Sequence, residues 1–204
     1  MVSLEVLGVK KIKEFRLKKN TKARSLKLKK HKVKPTIVKE NFFEKPDEIV
    51  KLTKKIEWLS PGPTADWPGV RSKNLCDILP NLNNYIISKI VKLYYGHDNL
   101  EVFNTIIQFH KIKLSDYENH NKKNTRFHKD YTDIAGLIYL TKGINDENIG
   151  TSILDDEGNL GVKISNVYNT LVCYDGNKSH GATGLNDIER LTIVIFLRTI
   201  NEKN

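Results

Sequence analysis

Two histidines and one aspartate have the residue types and the spacing of a metal site. One residue separates His128 from Asp130, so on an extended segment both side chains project from the same face and Lys129 points away. His180 follows a short apolar stretch about fifty residues further on and offers a second imidazole. Two imidazoles and one carboxylate leave about half of an octahedral coordination sphere open, which suits Fe(II) enzymes that bind a cosubstrate and O₂. A structural zinc site would need a fourth protein ligand, and no cysteine supplies one.

An arginine and a threonine ten and twelve residues beyond His180 suggest an anion site. On a strand, Arg190 and Thr192 share one face. A guanidinium at the start of so apolar a segment is costly unless an anion meets it. A dicarboxylic acid could accept a bidentate pair from Arg190 and a hydroxyl hydrogen bond from Thr192, while its other end chelates the metal.

The elements that must position these residues are helices in the first half of the chain and strands in the second. A helix is expected from Asp47 to about Trp58, and another from about Asn74 to Tyr95, ended by Gly96. Period-two segments then predict strands at Glu101 to Ile112, Ala135 to Leu140, Thr151 to Leu154, Thr170 to Tyr174 and Leu191 to Ile200. This order favours an α+β fold with an antiparallel sandwich or barrel over alternating βαβ units.

The order His128-x-Asp130, His180, Arg190-x-Thr192 resembles the iron(II)- and 2-oxoglutarate-dependent dioxygenases, specifically their prolyl-hydroxylase-like branch. The resemblance covers about residues 36–200 and implies a double-stranded β-helix (jelly roll) with N-terminal supporting helices. It implies that His128, Asp130 and His180 hold Fe(II) and that 2-oxoglutarate is a cosubstrate, consumed with O₂. Tyr139 is similar to a tyrosine that often helps to hold 2-oxoglutarate in this family.

The function that the resemblance implies is hydroxylation of a C–H bond, with release of succinate and CO₂. Relatives act on peptidyl proline, amino acids and other small molecules, and the sequence does not choose among these. Arg71, in a loop with Pro68 and Gly69, could bind substrate at the mouth of the site or be an ordinary solvated arginine. A jelly-roll metal protein with other chemistry remains an alternative, in which Arg190 and Thr192 match by accident.

The positive charge of the chain is concentrated at its beginning. The 204 residues carry a formal net charge of +10, but residues 1–40 hold 14 basic and 3 acidic side chains, whereas residues 41–204 are nearly balanced. We therefore predict a basic arm over residues 1–35 that need not be ordered, and an oxygenase domain over residues 36–204.

The arm supports a second function class, in which residues 10–34 contact nucleic acid or an acidic protein and the jelly roll is a non-catalytic scaffold. A solubilising arm is the simpler alternative. No apolar segment approaches the roughly 20 residues of a membrane-spanning helix, and no secretory signal is expected. Two cysteines without a metal-binding or disulfide pattern favour a cytoplasmic location.

Overall fold

The structure is a computed structural model, and it describes residues 33–62, 67–96, 103–120, 127–144, 146–184 and 186–199. Most of the predicted basic arm therefore lies outside the described residues, and the boundary at residue 35 stays a prediction. Among the described residues, no helix is long and apolar enough to cross a membrane.

The helices lie mainly in the first half of the chain, as predicted. Helix α1 spans Pro46–Leu52 and continues as a short 3-10 helix over Thr53–Lys55. The single helix predicted from Asn74 is instead two, α2 at Leu75–Ile78 and α3 at Pro80–Tyr95. The proline explains the break, because it lacks the backbone N–H that a continuous helix needs and disfavours a helical residue before it. Helix α4, Leu114–His120, was not predicted.

The larger sheet is six-stranded and antiparallel. Its spatial order is β1-β7-β4-β9-β3-β2. The strands are β1 (Ile37–Lys39), β2 (Val70–Arg71), β3 (Phe103–Ile112), β4 (Ile134–Tyr139), β7 (Leu171–Tyr174) and β9 (Arg190–Thr199). The long strands were predicted to within two residues at each end.

The smaller sheet has three strands in the order β6-β5-β8. They are β5 (Gly150–Leu154), β6 (Leu160–Ser165) and β8 (His180–Thr183). An isolated antiparallel bridge between His128 and His180 adds the segment before β4 to the edge of this sheet. The two sheets are antiparallel and do not close into a barrel, and the jelly roll with supporting helices is confirmed.

Residues alternate between the two faces of the larger sheet and so build two separate apolar clusters. On β9, Ile193 and Ile195 pack toward the helices, together with Ile86 and Ile90 of α3. Residues of β4 and β7 that point the other way form a smaller cluster with Ile153 and Ile164 of the smaller sheet. Each fully buried aliphatic side chain contributes about 1.5–3 kcal/mol to the stability of the fold. Packing against the helices therefore stabilises one face of the larger sheet, and the other face is available for a site.

Candidate metal centre and anion site

The structure brings His128, Asp130 and His180 together. Nε2 of His128 is 3.4 Å from Oδ1 of Asp130, and Nε2 of His180 is 3.1 Å from Oδ2. One donor atom from each residue lies within 4.8 Å of the other two. Two imidazole nitrogens and one carboxylate oxygen are donors that fit Fe(II), and they leave positions open for other ligands.

Backbone pairing between distant segments sets this geometry. The N–H of His128 donates to the carbonyl of His180 and the N–H of His180 donates back, both at 2.9 Å. The backbone N–H groups of Asp130 and Tyr131 both donate to the carbonyl of Gly176, at 2.9 and 3.1 Å. Tyr131 adopts a positive φ of 53°, which turns the chain directly after Asp130. The three side chains are therefore aimed by hydrogen bonds that need no metal.

The ring of His180 is held in one orientation. Its Nδ1 lies 2.9 Å from the carbonyl oxygen of Lys178. A carbonyl only accepts, so Nδ1 is the nitrogen that donates to Lys178, and Nε2 is the ring nitrogen directed toward Asp130. The ring of Tyr174 packs 4.6 Å away, centroid to centroid. His180 is buried, whereas the side chain of His128 is 59% exposed, so the cluster lies at the boundary between the interior and solvent.

Asp130 contacts both histidines of the metal cluster, and they determine its charge state. Burial alone would raise the pKa of its carboxyl group, but hydrogen bonds from His128 and His180, and their charges, outweigh burial and hold that pKa well below its usual range. The carboxylate therefore stays ionised, the state in which it can ligate a cation.

Arg190 and Thr192 lie at the buried end of the same sheet face. Arg190 is 5% exposed and donates from a terminal guanidinium nitrogen to the carbonyl of Gly150 at 2.8 Å. Thr192 is 1% exposed, and its hydroxyl has no hydrogen-bond partner among the described residues. An unsatisfied buried hydroxyl beside a buried guanidinium fits a carboxylate that would accept from both.

Tyr139 is directly opposite Thr192 in the pairing of β4 with β9. Its hydroxyl donates to the hydroxyl of Thr151 at 2.9 Å, which in turn lies on the smaller sheet. Burial raises the pKa of Tyr139, and nearby Arg190 opposes that rise. The structure thus places Tyr139 beside the predicted anion site, and its direct contact with 2-oxoglutarate stays a prediction.

The metal cluster and the anion site both lie between the two sheets, in the region that we call the interior space. Tyr174 lies near both groups: burial raises its pKa well above the ordinary value, Asp130 and Tyr139 add to the rise, and Arg190 opposes it. Along β9, Thr192 is buried, Val194 and Phe196 are half-buried, and Arg198 is exposed. The side chains on this face are therefore buried at the Arg190 end and become exposed to solvent past Phe196.

Sequence reasoning missed two residues of this region and the position of a third. Tyr174, packed on His180, and Gly176, which anchors Asp130, carry no motif that could have identified them. His110 is a core residue whose Nε2–H donates to the carbonyl of Pro68 at 2.7 Å. Its place opposite Thr192 follows from the strand register, which the sequence does not give.

Comparison with known proteins finds solved structures of similar fold, but no sequence match to a family model or to a curated protein. A Pseudomonas putida prolyl-4-hydroxylase is 16% identical, with 81% of this chain and 88% of that chain covered and a TM-score of 0.50. A Trichoplax adhaerens prolyl hydroxylase, solved with a hypoxia-inducible-factor peptide fragment, is 14% identical, with coverages of 80% and 83% and a TM-score of 0.55.

A third similar structure is SnoN, a non-heme α-ketoglutarate-dependent epimerase from nogalamycin biosynthesis. It is 11% identical, with 81% of this chain and 78% of that chain covered and a TM-score of 0.54. The chain therefore has the fold of the iron- and 2-oxoglutarate-dependent oxygenases, and the predicted likeness to their prolyl-hydroxylase-like branch is confirmed for the fold.

Proposed function

We propose that this chain is an Fe(II)- and 2-oxoglutarate-dependent dioxygenase that hydroxylates a C–H bond. The observation that carries the proposal is the convergence of His128, Asp130 and His180 at one end of an interior space whose other end holds Arg190 and the unpartnered hydroxyl of Thr192. The shared fold supports the general class.

Each part of the site has a distinct task in this proposal. His128, Asp130 and His180 would hold Fe(II), and Arg190 with Thr192 would hold the distal carboxylate of 2-oxoglutarate. When bound, Fe(II) and 2-oxoglutarate would supply, with O₂, the oxidising chemistry that converts C–H to C–OH, with succinate and CO₂ released. The chain itself orients the ligands through the Lys178 and Gly176 carbonyls and excludes water from the buried end.

The substrate would be a peptide or a small molecule. Support for this range comes from the similar structures, one solved with a peptide fragment and another from a biosynthetic pathway. The open end of the space, between exposed His128 and half-buried Phe196, is where either kind of substrate would approach.

The direct test measures binding and turnover separately. Purified protein should bind Fe(II) or Mn(II), then 2-oxoglutarate, and should release succinate in the presence of Fe(II) and O₂. His180→Ala should abolish metal binding. A wild-type protein that binds neither metal nor 2-oxoglutarate and releases no succinate would refute the proposal. An unbiased mass-spectrometric search for products heavier by one oxygen, with and without 2-oxoglutarate, would then identify the substrate.

The alternative function, a nucleic-acid or acidic-protein contact through residues 10–34, depends on a segment that lies almost wholly outside the described residues. A cytoplasmic location likewise stays a prediction from the sequence. The arm hypothesis predicts binding that weakens steeply with salt and disappears when residues 1–34 are deleted.

A further inference from the structure

Arg71, which the sequence left undecided between a solvated loop and a binding residue, faces the interior space. It is directly opposite His110 in the pairing of β2 with β3, and His110 is directly opposite Thr192 in the pairing of β3 with β9. Directly opposed residues of an antiparallel sheet share one face. Arg71 therefore projects from the same face as Thr192 and lies two strands away from it, nearer the edge of the sheet.

The guanidinium of Arg71 is surrounded by aromatic rings. Its central carbon lies 4.6 Å from the ring centroid of Trp67 and 5.7 Å from that of Phe196. Its Nε is buried without a hydrogen-bond partner, and among the described residues the guanidinium makes no ion pair. Stacking on aromatic rings recovers only part of the cost of burying an uncompensated charge.

Neither titratable neighbour compensates this charge. Burial, with Arg71 and Arg190 nearby, lowers the pKa of His110 to about 3, so His110 is neutral and donates to Pro68. Burial lowers the pKa of Arg71 to about 10 and Asp130 acts in the opposite direction, so Arg71 remains protonated at neutral pH. Asp130 is occupied by the two histidines of the metal cluster.

The charges of the site with Fe(II) and 2-oxoglutarate bound indicate which kind of group would pair with Arg71. The two positive charges of Fe(II) and that of Arg190 would be balanced by Asp130 and the two carboxylates of 2-oxoglutarate. Among the described residues of this cluster, Arg71 then contributes one positive charge without a partner. A group with a single negative charge and a planar pair of oxygens matches both this charge and the fork geometry of a guanidinium.

We propose that Arg71 binds a carboxylate of the substrate, at the open side of the site between Trp67 and Phe196. This inference rests on the proposed oxygenase function and narrows its substrate class to molecules with a free carboxylate. The carboxylate could belong to a small acid or to an acidic side chain of a peptide. In both cases Arg71 would fix one end of the substrate while the C–H bond to be oxidised points toward the metal.

Trp67 allows binding at Arg71 to be observed without turnover. The chain has two tryptophans, so Trp58→Phe leaves Trp67 as the only one. This variant, loaded with Mn(II) and saturating 2-oxoglutarate so that Arg190 is occupied, is titrated with benzoate and with benzamide. A second pair, acetyl-Ala-Glu-Ala-amide and its Gln counterpart, tests an acidic peptide side chain. We expect at least one acid to change Trp67 fluorescence with an affinity at least tenfold greater than that of its uncharged partner.

Arg71→Gln should remove this preference, and Arg71→Lys should retain part of it. Lys111→Gln is the matched control. Lys111 is next to His110 on β3 and therefore projects from the opposite face, where it pairs with Glu189 at 3.1 Å. The substitution removes one positive charge, as Arg71→Gln does, but from that other face. This control should keep the preference. Equal affinities for acids and uncharged partners, or an unchanged preference in Arg71→Gln, would overturn the inference.

Calorimetric titration of 2-oxoglutarate separates this inference from the proposed function. We expect Arg71→Gln to bind 2-oxoglutarate within threefold of the wild-type affinity. If its affinity falls tenfold or more, Arg71 holds the cosubstrate and the substrate-binding role is wrong. If the wild-type protein fails to bind 2-oxoglutarate at all, the oxygenase function itself is wrong.

Discussion

The hydroxyl of Thr192 is the clearest sign that the interior space is built for a ligand. A threonine buried to 1% exposure normally donates to a carbonyl, yet this one has no partner among the described residues, although Arg190 lies two positions earlier on the same face. Leaving a buried hydroxyl unpaired costs about 1–3 kcal/mol, so the position is suboptimal for folding. A bound carboxylate would remove that cost.

Thr192→Val separates ligand binding from stability. The substitution keeps the shape of the side chain and removes only the unpaired hydroxyl, so we expect the thermal midpoint to stay the same or rise. Affinity for 2-oxoglutarate should fall about tenfold or more, because a hydrogen bond to a charged group is lost. Calorimetry on the Mn(II)-loaded protein measures the affinity and thermal unfolding measures the stability.

Thr151→Val is the control for this prediction. The hydroxyl of Thr151 accepts from Tyr139 at 2.9 Å, so its removal breaks an existing hydrogen bond and should lower the thermal midpoint. A large loss of stability in Thr192→Val, comparable to that of the control, would show that the Thr192 hydroxyl has a structural partner and no ligand role.

The residues that the sequence could identify are those whose roles depend on local spacing. Asp130 follows His128 by two positions, and Thr192 follows Arg190 by two, so an extended backbone is enough to put each pair on one face. Burial of individual side chains was less predictable. The two cysteines, for example, differ in the folded chain, since Cys76 is exposed and Cys173 is buried. Arg71 was undecided because its burial depends on Trp67 and Phe196, which approach it only in the folded sheet.

At the level of elements, the turn after β7 fixes the aspartate of the metal cluster. Gly176 accepts hydrogen bonds from the backbone of Asp130 and Tyr131, and it lies against the backbone of Thr132. A side chain at position 176 would place its Cβ against the carbonyl oxygen of Thr132, closer than real Cβ contacts come. The two segments can approach this closely only because position 176 is glycine.

Gly176→Ala should therefore disturb both the fold and the metal site. We expect a loss of about 2 kcal/mol or more in the free energy of unfolding, and at least tenfold weaker Mn(II) binding by the folded fraction, because the turn that aims Asp130 must shift. Denaturant titration and metal titration measure the two effects.

Gly62→Ala is the matched glycine control, since a Cβ there meets no atom of the described residues within 4 Å and the substitution should change neither quantity. Wild-type Mn(II) affinity in Gly176→Ala would show that the turn does not position the ligand.

Elements were predictable where their pattern is strong and unpredictable where it is weak. The strand β9 alternates apolar residues that face the helices with residues that face the site, and its bounds were predicted closely. Strand β6 was missed because its first four residues are exposed, so no apolar alternation marks it. Strand β8 was missed because it is short and polar, and its pairing with β5 supplies the order that its sequence lacks.

Across the whole molecule, one buried histidine should make stability depend on pH. Burial lowers the pKa of His110 to about 3, from an ordinary value near 6.5, so the folded chain does not protonate it between these values while the unfolded chain does. Stability from this group is thus fully present above pH 6.5 and is lost as the pH falls, at about 1.4 kcal/mol per pH unit.

His110→Gln isolates this contribution, since glutamine can still donate to Pro68 but does not titrate. On lowering the pH from 7 to 5, the metal-free wild type should lose about 2 kcal/mol more than the variant in urea unfolding. The same pH dependence in both proteins would contradict a neutral, buried His110.

The bridge between His128 and His180 gives the metal centre a particular place in the order of folding. The two residues are about fifty positions apart, and strands β4 to β7 lie between them, so their backbones pair only after a long loop has closed. Because closing so long a loop is entropically costly, we expect this contact to form late, and the unfolded chain does not hold His180 near the local pair of His128 and Asp130. Metal bound to the native state would accordingly slow unfolding and leave the rate of folding nearly unchanged.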